Sequence, residues 1–261
     1  MNMAHKYPNT FEGLLQLVAH LRSPIGCPWD IEQSQESLKQ YLLEECYELL
    51  DAIDKGCSDG IVDEIGDLLF NLAFQIQLKV EKQTTTSQKV FLSIIEKLKR
   101  RHPHVFGKER ASNVQQVESN WSSIKRAEQT NEEAYFLSGV PKNMPALSYA
   151  QTLQQKASYT GFDWKNIQGV MEKIHEEVEE LRESQSHEDK EQELGDLLFS
   201  IVNLGRWIGT DAESALRKAS TRFRSRFDLM EKLSRKKGKS FDELSSDQKE
   251  LLWETAKTIL N

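Results

Sequence analysis

The sequence predicts an all-α protein made of two related helical units, and three observations predict it. Glycine and proline are scarce, at 13 and 6 in 261 residues, while 29% of the chain is charged. Long Glu/Lys/Leu/Gln-rich stretches therefore run without helix breakers. Within them, apolar residues recur at three- and four-residue steps, the spacing of an amphipathic helix. Finally, the pattern occurs twice: LLEECYELL followed by DEIGDLLF in the first half returns as IHEEVEEL followed by QELGDLLF in the second. An apolar content of 38% supports compact but modest cores, so pairing of units or of chains is expected to complete the burial.

The elements follow in order. Residues 10–22 form a first amphipathic helix, with Phe11, Leu14, Leu15, Val18 and Leu21 on one side. SPIGCPWD, at 23–30, breaks it with two prolines and a glycine. A helix over 34–54 starts with Ser34 or Ser37 as its N-cap. A short turn at 55–60 leads into a helix over 61–81, and a polar connector into one over 88–101 that ends at Pro103. A further helix runs from 114 to about 129, and Pro141 and Pro145 mark the boundary between the units, placed at 1–138 and 139–261. The second unit reads as helices over 146–159, 166–185, 188–208, 211–236 and 245–260.

The carboxylates are the chemical signal. Residues three apart share a helix face, which pairs Glu45 with Glu48 and Glu64 with Asp67 in the first unit. The same spacing pairs Glu177 with Glu180 and Glu193 with Asp196 in the second. Glu45 follows Leu38 and Leu42 in an apolar stripe, and Glu177 follows Val170 and Ile174 in the same way. An ionised carboxylate in such a slot is costly unless it is paired or binds a metal. A solvated acidic face would explain one such motif alone; the interrupted stripe, the second Glu-x-x-Asp and the duplication favour a cation. All-carboxylate ligation selects hard ions, Mg²⁺ or Mn²⁺. A di-iron bundle would need a Glu-x-x-His pair, which neither helix supplies.

Basic residues follow one helix later: Lys99, Arg100 and Arg101 in the first unit, Arg222, Arg224 and Arg226 in the second. They read either as surface charge or as a clamp on phosphoryl oxygens. Trp29, Trp164 and Trp253 read either as core or lid aromatics or as base-stacking platforms. The net charge of −7 argues against nucleic-acid binding. There is no GxxxxGK[ST] loop, Cys27, Cys46 and Cys57 have no metal-ligand spacing, and no signal core or membrane-length apolar run occurs. The expected location is cytoplasmic.

These motifs, with GCPWD, RRHPHVF, NWSSIK and GFDW, resemble those of the MazG nucleoside triphosphate pyrophosphohydrolases over nearly the whole chain. The resemblance implies tandem four-helix units, a homodimer, and Mg²⁺-dependent hydrolysis of nucleoside triphosphates to monophosphate and pyrophosphate. It implies metal ligands Glu177, Glu180, Glu193 and Asp196 in the second unit, with Glu45, Glu48, Glu64 and Asp67 equivalent in the first. It places Lys173, Glu176, Lys190, Arg222, Arg226 and Trp253 around the nucleotide. Glu176 is read either as orienting or deprotonating the water or as a ligand of a further metal. It also implies that the second unit carries the activity. Where the second unit has Lys173 the first has Tyr41, which removes a cation beside the phosphates. The competing expectations are a related all-α hydrolase acting on dUTP or modified nucleotides, and a non-catalytic helical interaction module.

Overall fold

The structure is a computed structural model that describes residues 7–128 and 135–260. Regular structure among the described residues is entirely helical: α1 (Phe11–Leu21), α2 (Pro28–Glu32), α3 (Lys39–Lys55), α4 (Ser58–Glu81), α5 (Ser87–Arg101), α6 (Pro103–Phe106), α7 (Val114–Ala127), α8 (Ala146–Ser158), α9 (Ile167–Glu183), α10 (His187–Trp207), α11 (Ala212–Lys236), a 3₁₀ turn (Phe241–Glu243) and α12 (Ser246–Leu260). The chain divides into two compact units, Met1–Trp121 and Ser122–Asn261.

In the first unit, Thr10 caps α1, its Oγ1 accepting the Gly13 N–H at 3.2 Å. A Cβ at Gly13 would stand 1.8 Å from the Pro8 carbonyl oxygen, so only glycine fits there. Residue Gly56, at φ +65°, ends α3 in the left-handed conformation and folds α4 back against it. The core joins Leu15 and Val18 of α1 to Leu38 and to Ala73, Phe74 and Leu78 of α4. Val18 is 0% and Phe74 1% exposed; burying such a side chain stabilises by roughly 1.5–3 kcal/mol. Phe11 and Phe91 meet edge-on, 5.7 Å between ring centroids, and close the core toward α5.

Two local expectations are corrected here. Neither Ser34 nor Ser37 caps α3, which begins at Lys39. Each serine's Oγ instead accepts the other's backbone N–H, at 3.1 and 3.0 Å, which satisfies both within the preceding turn. The break at 23–30 also holds a short helix, α2, with Pro28 at its first position, where the missing N–H costs nothing. The expected end of α7, near Gln129, lies outside the described residues, as do the first six residues.

In the second unit, Asn166 caps α9, and Ser186 with Asp189 forms a reciprocal capping box on α10. These caps fix the register of the antiparallel pair α9–α10. From α8, Gln151 binds the Thr210 carbonyl at 3.0 Å and accepts the Ala212 N–H at 2.8 Å, tying α8 to the start of α11. A separate core of Met230, Leu244, Leu252 and Ala256 joins α11 to α12.

Candidate active site

The spacing that places Glu177 in an apolar stripe buries it: it is 3% exposed, two turns beyond the buried Val170. The capped register of α9 and α10 then brings Glu177, Glu180 and Glu193 together, with one carboxylate oxygen of each lying within 4.8 Å of the others. Asp196 stands one turn along α10 from Glu193 and lines a cleft of about 210 Å³ with Glu177, Lys173 and Trp164. Partial burial, then the charges of Glu180, Asp196 and Glu177, push the Glu193 carboxyl above its ordinary pKa. That is the signature of carboxylates collected without enough positive charge.

Lys173 supplies the one lysine in that cleft. Its Nζ lies 2.7 Å from Glu176 and 2.6 Å from Glu177. Those hydrogen bonds push its pKa well above the usual lysine value, so it is charged throughout the physiological range. Spaced at i, i+3 and i, i+4, the three residues form a fork on one face of α9.

The first unit builds the same cluster with other neighbours. Glu45, Glu48 and Glu64 offer oxygens within 4.8 Å of one another. Glu64 Oε2 is buried with no hydrogen-bond partner. Burial, then Asp67, Glu48 and Glu64, raise the Glu45 pKa; burial, then Glu48 and Asp67, raise that of Glu64. In the Lys173 position Tyr41 meets Trp29 in a T-shaped ring contact, 5.9 Å between centroids.

The other basic residues singled out by sequence lie on α5, α10 and α11. Arg226 lies 5.8 Å from the ring centre of Trp253, which packs against the α11–α12 core. Arg101 lies 5.4 Å from that of Trp121 on α7 in the first unit. Arg222 on α11 and Lys190 in the first turn of α10 are exposed. The two basic runs differ in form: α5 stops at Arg101 and Pro103 begins α6, while α11 runs unbroken from Ala212 to Lys236.

Residue-by-residue reading missed a wall of the second unit's site. Asp163 is gripped by Arg206, with Nη1 donating to Oδ2 at 2.9 Å, and also accepts from Trp207 Nε1 at 3.1 Å and the Trp164 N–H at 2.8 Å. Burial alone would raise the Asp163 pKa, but these donors outweigh it and hold the carboxyl below its usual range. This anchor seats Trp164 on α9, where a Cβ at Gly169 would meet its ring at 2.7 Å. The available signal was positional. Aligning DLLFNLAF with DLLFSIVN sets Phe74 of the first unit against Asn203 of the second.

Known proteins resemble this chain. Residues 33–106 match the MazG nucleotide pyrophosphohydrolase domain. The nucleoside triphosphate pyrophosphohydrolase/pyrophosphatase MazG of Thermotoga maritima is 45% identical over 247 residues, 95% of each chain. The nucleoside triphosphate pyrophosphohydrolase of Escherichia coli is 38% identical over 256 residues, 95% of this chain and 97% of its own. An uncharacterised protein, YabN, of Bacillus subtilis is 39% identical over 251 residues, 95% of this chain and 51% of its own. Fold and matches together define an all-α hydrolase. More narrowly, the chain belongs to the MazG family.

Proposed function

We propose that the chain hydrolyses nucleoside triphosphates to nucleoside monophosphates and pyrophosphate, using a divalent cation held between α9 and α10. One observation carries the reading: Glu177, Glu180 and Glu193 converge within 4.8 Å in a chain so similar to relatives named for this reaction. The donor set fits a hard cation, because it is all oxygen and because Mg²⁺ spans about 4 Å between opposite ligands. The partnerless Glu64 Oε2 marks the same deficit of positive charge in the first unit.

In this reading Glu177, Glu180, Glu193 and Asp196 hold the cation, with Glu45, Glu48, Glu64 and Asp67 as the equivalent set. Mg²⁺ is the favoured ion and Mn²⁺ a substitute. When bound, the cation neutralises the triphosphate and acidifies water beside it. Lys173, already charged and 2.6 Å from Glu177, pairs with a phosphoryl oxygen. Glu176 orients the attacking water and takes its proton, with Lys173 holding the carboxylate in place at 2.7 Å. Attack at the α-phosphorus expels pyrophosphate, whose charge Arg222 and Arg226 offset. Lys190 and Trp253 complete the contacts to the nucleotide.

The proposal extends to a cytoplasmic homodimer of tandem four-helix units, 1–138 and 139–261, with broad substrate range and a house-cleaning role toward the nucleotide pool. No helix among the described residues is long and apolar enough to cross a membrane. Dimerisation is supported by apolar faces left open to solvent: Leu43, Tyr47 and Leu50 on α3, and Leu194, Leu198 and Ile201 on α10. The test is product analysis on the intact chain over canonical and modified triphosphates, with and without Mg²⁺. Equimolar monophosphate and pyrophosphate, formed only with the cation, are expected. Metal-independent turnover, or no pyrophosphate from any triphosphate, would overturn the proposal.

A further inference from the structure

Glycine is the poorest helix former after proline, because it loses the most backbone freedom on folding. A glycine inside a helix therefore needs a reason, and most of those in this chain have one beside them. A Cβ at Gly13 would stand 1.8 Å from the Pro8 carbonyl oxygen, and one at Gly169 would stand 2.7 Å from the Trp164 ring. A Cβ at Gly60 would meet Cys57 Sγ at 3.2 Å, and one at Gly205 the Thr210 carbonyl oxygen at 3.3 Å.

Gly66 on α4 and Gly195 on α10 have no such neighbour. A Cβ at either would meet nothing within 4 Å. Neither has a positive φ, so the backbone does not require glycine there. Both are exposed and lie well inside their helices. Among the described residues, nothing in the fold of either unit asks for the missing side chain.

Both stand inside a Glu-x-x-Asp pair: Gly66 between Glu64 and Asp67, Gly195 between Glu193 and Asp196. The two repeats keep this glycine while other neighbours change, Tyr41 against Lys173 and Phe74 against Asn203. One residue step sets Gly195 about 100° round α10 from Asp196, and Phe199 follows one turn later on the same face. Asp196 and Phe199 both line the cleft that holds Lys173 and Glu177, so Gly195 forms a shoulder of that cleft. Mg²⁺ gives up water reluctantly, and a protein usually holds it through one or two carboxylates while waters and phosphate oxygens fill its other positions. The group that assembles on such a cluster is wider than the ion, and a side chain on this shoulder would intrude on it.

We propose that Gly195 is a clearance residue of the second unit's site: its missing side chain leaves room beside Asp196 for the cation's shell of water and phosphate oxygens. Gly66 does the same at the first unit's cluster. The inference rests on the triphosphate reading and adds to it a position where the helix gives up stability for access.

The experiment compares the intact wild type with Gly195→Ala and Gly195→Gln, two good helix formers of increasing size. Thermal midpoints are read without metal, and again with Mg²⁺ and a non-hydrolysable triphosphate analogue. Beside them, kcat/KM for ATP and molar mass by light scattering are measured. Without metal, Gly195→Ala melts about 2–4 °C above wild type. The rise in midpoint on adding Mg²⁺ and analogue shrinks by about half or more in Gly195→Ala and is lost in Gly195→Gln. In the same order kcat/KM falls about 10-fold and about 100-fold, and molar mass stays unchanged. A metal-free midpoint below wild type in Gly195→Ala would show that the fold itself needs the glycine and would overturn the proposal. A full ligand-induced rise with full kcat/KM in both variants would overturn it as well. A changed molar mass accompanying the loss would assign the space to a second copy of the chain, again against the proposal. A wild type with neither a ligand-induced rise nor pyrophosphate release would overturn the triphosphate reading itself, and the clearance role with it.

Discussion

The hairpins α3–α4 and α9–α10 carry the same acidic spacing and gather the same three glutamates within the same 4.8 Å, yet their surroundings differ. In α9–α10 the cluster faces Lys173 and opens into a cavity walled by Trp164, Phe199 and Asn203. In α3–α4 the lysine's place is taken by Tyr41, packed on Trp29, and the asparagine's by the core residue Phe74. On the proposed reading, the difference teaches that carboxylate spacing sets where a cation can sit, and that a few neighbouring side chains decide whether a nucleotide can join it. Both units also set an arginine over a tryptophan, Arg101 on Trp121 and Arg226 on Trp253. That pairing therefore does not distinguish them.

The largest effect is expected where the comparison is most direct. Glu177→Ala lowers turnover by roughly 10³-fold or more, since it removes a charge worth several kcal/mol in the transition state. Glu45→Ala costs at least about 100-fold less on the same scale. Steady-state kinetics of the two folded variants checks this, and equal losses would erase the proposed division between units. Next, Lys173→Tyr copies the first unit's residue and lowers kcat/KM by about 10- to 100-fold, the worth of a charge-assisted contact to phosphate. A variant with wild-type rates would show that the lysine is not what separates the sites.

Smaller effects fall on stability. Arg206→Met leaves Asp163 without its main donor and costs about 1–3 kcal/mol at neutral pH. The Asp163 carboxyl is held below its usual range, so its contribution is present above the unfolded pKa and is lost as pH falls through the folded value. The gap between variant and wild type in chemical denaturation should therefore narrow toward acid. Last, the raised pKa of Glu193 works in the opposite direction. Its ionised form is the disfavoured one, so its cost is absent below the unfolded value and full above the folded one. In metal-free protein Glu193→Gln raises the thermal midpoint at pH 8 and has little effect at pH 4; Mg²⁺ should stabilise the wild type at pH 8 and not the variant to the same extent. A variant less stable than wild type at pH 8 without metal would contradict the crowding of charges.

Much of this was legible from residues alone. The helices and the facing carboxylates follow from three- and four-residue periodicity, because a glutamate in the slot after Val170 and Ile174 must point inward once the helix packs. Helix starts were less legible: Ser34 and Ser37 look like caps, but two serines three apart can satisfy each other, and sequence does not say which bond wins. The cavity was hidden for another reason. Gln154 and Asn203 are ordinary helical residues until packing brings α8 onto α10, and only comparison of Asn203 with Phe74 in the repeat hints that a core position has been emptied.

The most direct measurement is Mn²⁺ binding to the intact chain by electron paramagnetic resonance, with a non-hydrolysable triphosphate analogue present. Wild type should bind the ion with the analogue, and Glu177→Gln combined with Glu193→Gln should lose at least one Mn²⁺ equivalent per chain. Undiminished stoichiometry and affinity in the folded double variant would mean that the inward carboxylates of α9 and α10 do not grip the cation.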